Sequence, residues 1–184
     1  KTPVRDQVNK MDAASYFALL ASLMKDNPPV AADAPMVAEI AKLGLKPGAT
    51  IRAADAVNAL VTLSANDAAV TIAENLAGTE ANFARVMTRK AQEIGMMSTL
   101  FRNASGLPND QQVTTARDLA KLARAIIADF PEYAHYWAAP NMRLGKNRLS
   151  THNGLLQSFE GADGMKTGFT CDSGFNIVAS ATRD

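Results

Sequence analysis

The sequence predicts an α+β fold in one domain, with a helical part over residues 13–140 and the start of a sheet part over 141–184. Three observations carry this. Apolar residues recur at helical spacing through the first part, in segments punctuated by Pro and Gly. After Asn141 the texture changes to short extended pieces that end in strict alternation. Aromatic residues are only 6% while Met numbers 8 and Ala is abundant, a balance that leans toward helix.

Each element has its own signal. Ala13, Tyr16, Phe17, Leu20, Leu23 and Met24 share one helical face, and Asp26-Asn27-Pro28-Pro29 ends that helix because Pro supplies no backbone donor. A short helix is expected from Pro35 to Leu43, with Pro in its first turn and Gly44 beyond its end. Lys46-Pro47-Gly48 reads as a turn. Val57, Leu60 and Val61 mark a helix over Ala53–Leu63. Ser64-Ala65-Asn66 interrupts it, and another follows over Asp67–Ala77 with Gly78 as its stop. Thr79 caps a helix to Ile94, with Phe83, Val86, Met87 and Ile94 inward. Leu100 to Leu107 is loop-like. Thr115 with Asp118 forms a variant capping box ahead of the clearest apolar stripe in the chain, Leu119, Leu122, Ala123, Ile126, Ile127 and Phe130, which Pro131 closes. Strands are expected over Met165–Thr170 and Phe175–Thr182. A strand so close to the last residue, Asp184, gives the expectation of a piece truncated at its ends.

Bulk properties exclude several function classes. Nineteen Lys+Arg against 18 Asp+Glu leave a net charge of +1, without the basic excess of a nucleic-acid reader. No apolar run reaches the length of a membrane span. A single cysteine, Cys171, excludes an internal disulfide framework, and it reads as a small packed residue; two histidines, His135 and His152, make a His-based metal site improbable.

Three short patterns bear on chemistry: Ser64-Ala65-Asn66 between two helices, Asn103-Ala104-Ser105-Gly106-Leu107 in a loop, and Lys166-Thr167-Gly168 on a strand. Alone, each is a common local device, such as a helix break held by Asx bonds. In this order they match the Ser-x-Asn and Lys-Thr-Gly elements of penicillin-binding proteins. The wording around them, LGLKPG at 43–48, SANDAA at 64–69, RNASGLP at 102–108, TARDLA at 115–120 and DGMKTGFT at 163–170, resembles the D-alanyl-D-alanine carboxypeptidases, the low-molecular-weight penicillin-binding proteins. The resemblance runs from about Ala13 to Asp184.

The resemblance implies a β-lactamase/transpeptidase-like fold, with a helical subdomain packed against a small antiparallel sheet. Acyl transfer needs a nucleophilic hydroxyl, a base for its proton and donors for the oxyanion. By resemblance the catalytic residues are Lys10, Ser64 and Asn66. Ser64 passes a proton to the leaving D-alanine, and Asn66 holds the first lysine and the substrate carbonyl. Lys166, Thr167 and Gly168 bind substrate: Lys166 attracts its terminal carboxylate, Thr167 hydrogen-bonds it, and Gly168 leaves room for the peptide to dock along the strand. The partners implied are a peptidoglycan stem peptide ending in D-Ala-D-Ala and β-lactam antibiotics as inhibitors, with no cofactor and no metal. The compartment implied is the periplasm or the outer face of the cytoplasmic membrane.

One departure stands against this pattern. In the family a Ser three residues before the catalytic lysine opens a long helix. Counting back puts that lysine at Lys10, and Gln7 stands where the nucleophile belongs. Gln cannot form an acyl ester. A literal Ser-x-x-Lys occurs at Ser22-Leu23-Met24-Lys25, but it closes a helix, where a Lys simply complements the helix dipole. Two readings follow, a serine-type carboxypeptidase and a non-catalytic muropeptide-binding homologue. A class A-like β-lactamase ranks below both, because Glu132 and Glu160 lack the context of that enzyme's extra base.

Overall fold

The computed structural model describes residues 29–32 and 43–183. The described chain alternates small two-stranded antiparallel ribbons with helices. β1 (Pro29–Ala31) pairs with β2 (Thr50–Arg52). Helices α1 (Ala53–Leu63), α2 (Asn66–Ala77), α3 (Glu80–Glu93) and α4 (Ala116–Asp129) follow. A single 3-10 turn and the short α5 (Ala134–Trp137) lead into hairpin β3 (Asn141–Leu144) and β4 (Asn147–Ser150). After α6 (Leu155–Ser158) the long ribbon β5 (Ala162–Thr170) and β6 (Gly174–Ala181) ends the described chain.

The core is built on alanine. Ala53, Ala56 and Ala59 line one stripe of α1, and Ala65 and Ala68 continue it into the next helix; four of these five are wholly inaccessible. Side chains this small let α1 and α2 approach closely, and the gaps are closed by Val30 and Ile51 from the first ribbon and Met142 from β3. Leu144 and Leu149 lay the inner face of the β3–β4 hairpin on the same cluster. Asn75 fastens β1 to α2: its Oδ1 accepts from Ala31 N at 3.3 Å, and its Nδ2 donates to Ala31 O at 2.7 Å and Thr71 O at 2.8 Å.

The helix boundaries follow the local chemistry. Thr79 Oγ1 accepts from Asn82 N at 3.1 Å, and Thr115 Oγ1 accepts from Asp118 N at 3.1 Å. The Thr115–Asp118 box closes on one side only. The Asp118 carboxylate turns away from Thr115 and instead accepts from Ser98 N, Thr99 Oγ1 and Lys121 Nζ, pinning the turn after α3 to the start of α4. These donors hold its carboxyl below the usual range even though its burial, the largest single influence, opposes them.

Several expectations change on the structure. The helices expected over 13–24 and 35–43 lie outside the described residues, apart from Leu43, which sits in a loop. Ribbon β1–β2 was not anticipated, since three-residue strands are too short to show alternation. Strand β5 begins three residues before the expected Met165, at Ala162. The apolar stripe of α4 is only half covered among the described residues, with Ile127 52% exposed, because few described elements pack against it. Asn75→Ala is expected to lower unfolding free energy by roughly 1–3 kcal/mol, as the main chain of Ala31 loses both its partners; urea denaturation measures it.

Candidate active site

The corner between α1 and α2 is where chemistry-bearing residues meet. Helix α1 ends on Ser64, whose backbone is left-handed at φ 55° and ψ 38°. Helices commonly end this way, but usually on Gly, which has no Cβ to crowd. The turn is closed by Ser64 N and Ala65 N, which both donate to Ala59 O. A serine held here against its preference costs on the order of 1–2 kcal/mol and fixes where its hydroxyl points.

Strand β5 comes to that hydroxyl from the other end of the sequence. Lys166 Nζ donates to Ser64 Oγ and, at 2.7 Å, to the carbonyl of its neighbour Thr167. Burial pushes the Lys166 ammonium down from the ordinary lysine range to about 8. No carboxylate partner offsets that desolvation among the described residues. The result is a cation with two neutral acceptors, a strong attractor for an arriving anion and a ready donor of a proton near neutral pH.

The remaining expected residues take different places. Asn66 opens α2 two positions after Ser64 and is buried. Thr167 enters the site through its main-chain carbonyl. Gly168 is exposed, and a Cβ added there would meet nothing within 4 Å, so the space beside it is open. Among the described residues β5 pairs only with β6, which leaves its second edge without a strand. Asn103 is occupied with its own loop: Nδ2 donates to Leu107 O at 2.9 Å and Oδ1 accepts from Gly106 N at 2.8 Å. Lys10 and Gln7, like Ser22 and Lys25, lie outside the described residues. Cys171 is exposed, where a packed small residue was expected.

One residue near the corner escaped the sequence reading. Asp67 follows Asn66 directly, is 5% exposed, and accepts from the main chain of Leu43 at 3.0 Å, Gly44 at 2.8 Å and Leu45 at 3.1 Å, and from Ala68 N at 3.0 Å. A carboxylate filled by four amides ties the LGLKPG segment to the first turn of α2, where its charge also suits the helix dipole. Its signal was present in both blocks, but nothing in a linear string says that one block's acid is the other's partner. His152 takes a structural place nearby: its main-chain N–H donates to Thr62 O at 3.1 Å, seating the chain after β4 against the residues just before Ser64.

Comparison with known proteins agrees on the family. A family model for D-alanyl-D-alanine carboxypeptidase matches residues 21–184. The carboxypeptidase DacC of Escherichia coli is 38% identical over 140 residues, covering 76% of this chain and 35% of its own. DacA of Haemophilus influenzae is 36% identical over 142 residues, covering 77% and 36%. The chain thus spans little more than a third of the length of these relatives. Among solved structures, penicillin binding protein 5 from Haemophilus influenzae superposes with a TM-score of 0.80 at 29% identity, over 93% of this chain and 52% of that one. Penicillin-Binding Protein D2 from Listeria monocytogenes, in a cefotaxime-bound form, gives 0.79 at 31% identity over 93% and 72%. The fold is the transpeptidase-like α+β fold of these proteins.

The strain at the corner can be read by substitution. Ser64→Gly is expected to be more stable than Ser64→Ala by about 1 kcal/mol, since both lose the hydroxyl but only Gly relaxes the left-handed backbone. Equal thermal midpoints would place the strain elsewhere. Asp67→Ala is expected to cost about 3 kcal/mol by denaturant melts, because it leaves the amides of Leu43, Gly44, Leu45 and Ala68 without that acceptor.

Proposed function

The chain belongs to the D-alanyl-D-alanine carboxypeptidase family, and from that membership we propose that it is a serine-type D-Ala-D-Ala carboxypeptidase that trims the terminal D-alanine of peptidoglycan stem peptides through an acyl-enzyme. The observation that carries the reading is the bond from Lys166 Nζ to Ser64 Oγ, which joins two motifs 102 residues apart in sequence. By the same membership the protein works in the periplasm or on the outer face of the cytoplasmic membrane, and β-lactams are its inhibitors.

The chemistry assigned to this corner is proton delivery and anion capture. The substrate's terminal carboxylate displaces the Thr167 carbonyl and joins Ser64 around Lys166, with the Thr167 hydroxyl as a further donor. The peptide lies along the open edge of β5, where main-chain bonds align it and Gly168 allows close approach. The acylating hydroxyl adds to the carbonyl carbon and gives its proton to the Lys10 amine. As the scissile C–N bond breaks, the leaving amine takes the Ser64 proton and Lys166 restores it. The proton gained by Lys10 makes good the loss at Lys166. Asn66 holds the substrate carbonyl and the Lys10 amine. Water then hydrolyses the acyl ester.

A second reading has its own observation. Gln7 stands at the nucleophile's place, and both Gln7 and Lys10 precede the span matched by the family model, whereas Ser22 and Lys25 lie inside it. On that reading the chain is a muropeptide-binding module that keeps the Lys166 region and lacks the acylating hydroxyl.

Incubation with a fluorescent penicillin, followed by mass spectrometry of the digested protein, separates the two. A covalent adduct on a serine, with release of D-alanine from a diacetyl-lysyl-D-Ala-D-Ala peptide, is the expected result. No adduct together with retained peptide affinity sinks the enzyme reading and supports the binding module.

Lys166 adds a pH signature. Peptide capture is expected to be full below pH about 8 and to decline as the pH rises through that value, where the ammonium loses its proton. Stability moves the opposite way. Between about 8 and the ordinary lysine value the unfolded chain binds more protons than the folded one, so unfolding free energy rises with pH across that window. Lys166→Met is expected to reduce peptide affinity about 100-fold without lowering the thermal midpoint at pH 7. Unchanged affinity would remove Lys166 from the site.

A further inference from the structure

The near balance of 19 basic and 18 acidic residues conceals a local segregation. Between Glu132 and Glu160 the chain carries no carboxylate at all, yet it holds Arg143, Lys146 and Arg148. The structure gathers these three on the β3–β4 hairpin. Arg143 and Arg148 are direct cross-strand partners and therefore project from the same face, with Lys146 in the turn between the strands. All three are exposed. None makes an ion pair or a side-chain hydrogen bond among the described residues.

Two like charges directly opposed across a ribbon destabilise it. The hairpin tolerates the pair because its inner face, Met142 with Leu144 and Leu149, is anchored on the alanine core. The cations thus add nothing to the fold that the described residues reveal, and their charge is directed outward. The hairpin is also rooted beside the site. Strand β4 runs through Thr151 to His152, whose N–H donates to Thr62 O, two residues before Ser64. At about 3.3 Å per extended residue, Arg148 stands roughly 13 Å along the chain from that anchor.

We propose that the outer face of the β3–β4 hairpin is a docking surface for the carboxylates of neighbouring stem peptides on the peptidoglycan polymer, so that Arg143, Lys146 and Arg148 hold the wall while one stem end enters the Ser64–Lys166 corner. The proposal rests on the peptidoglycan substrate assigned above. Paired guanidinium forks match carboxylates in bidentate geometry, and clustered positive charge next to a site raises the local concentration of an anionic polymer. A membrane surface fits less well. The outward positions of the hairpin carry Arg and Asn, while its leucines face the core, so it lacks the apolar anchors of an interfacial segment. Phosphate polymers lack the link to the corner that stem peptides have.

The experiment uses the full chain and co-sedimentation with purified peptidoglycan sacculi stripped of protein and teichoic acid. Compared are wild type, Arg143→Gln, Arg148→Gln, their double variant, and Lys46→Gln, which removes an equal charge from the exposed turn before β2. The double variant is expected to bind about tenfold less at low salt, each single variant to fall between, and Lys46→Gln to match wild type. Added salt should weaken wild type strongly and the double variant little. Hydrolysis should fall on sacculi alone, with the small diacetyl-lysyl-D-Ala-D-Ala peptide turned over at the wild-type rate. Thermal midpoints of the variants should equal or exceed wild type, since a repulsive pair has gone.

Equal binding by wild type and the double variant overturns the proposal, as does an equal loss in Lys46→Gln. Arginine-dependent binding to phosphatidylglycerol vesicles or to isolated teichoic acid, without binding to sacculi, overturns it in favour of a phosphate source. A chain that takes no penicillin yet binds sacculi through these arginines would sink the catalytic reading and support the docking surface. A chain that hydrolyses the small peptide but ignores sacculi would do the reverse.

Discussion

A half-buried ammonium held by a hydroxyl at a left-handed helix end is the constraint on which the site depends. Lys166 lies on the last ribbon and Ser64 at the end of α1, so their contact ties the sheet part to the helical part at one point. Neither end of that bond serves stability. Burial drives the lysine toward its neutral form. Ser64 occupies a backbone region that most side chains avoid. Two unfavourable features converging on one bond support the proposed ligand-directed role of this corner.

The surrounding structure supplies the rigidity that such a corner requires. The alanine packing of α1 against α2 fixes the angle at which the two helices leave Ser64 and Ala65. Asp67 locks the first turn of α2 by collecting amides from Leu43, Gly44 and Leu45. Asn75 does the same farther along the helix for β1. In each case a short polar side chain satisfies main-chain groups that no regular element satisfies, which is how irregular segments can be buried without unpaired donors. Gly164 shows the complementary device on β5: a Cβ there would lie 2.7 Å from Ser180 Oγ on β6 and 3.2 Å from the Trp137 Cβ on α5, so a side chain would crowd both neighbours.

What could be read from the string was whatever is local. Ala53–Leu63 matched the helix observed, and Thr79 and Thr115 capped where a short hydroxyl before an apolar run says they should. The turn at Lys46-Pro47-Gly48 was legible for the same reason; Ala49 N donates to Lys46 O at 2.9 Å and closes it. Pairings between distant segments were not legible. The four amides on Asp67 come partly from a block more than a full helix away, and the seat of His152 on Thr62 is a main-chain bond that no side chain announces. The degree of cover failed as well. Periodicity marks which face of α4 or β6 is apolar, but Ile127 and Ile177 are each at least half exposed among the described residues, since periodicity carries no information about what lies opposite. The meeting of Ser64 with Lys166 was anticipated through resemblance alone; composition and spacing would have left two unremarkable tripeptides.

The same reasoning orders the residues around the corner by what they can tolerate. On the proposed reading Lys166 acts through charge and loses its role with its proton, so its environment must keep the ammonium accessible without hydrating it fully; two neutral acceptors and partial burial fit that, where a carboxylate partner would neutralise the attraction for a substrate anion. A group that acts through position, such as Asp67, needs the opposite: every lone pair already engaged and no freedom to turn toward an incoming ligand. Acid and base near one site therefore differ in how completely they are satisfied. That difference follows from desolvation physics, and it supports the proposed division of ligand capture by the under-satisfied cation from scaffolding by the saturated anion.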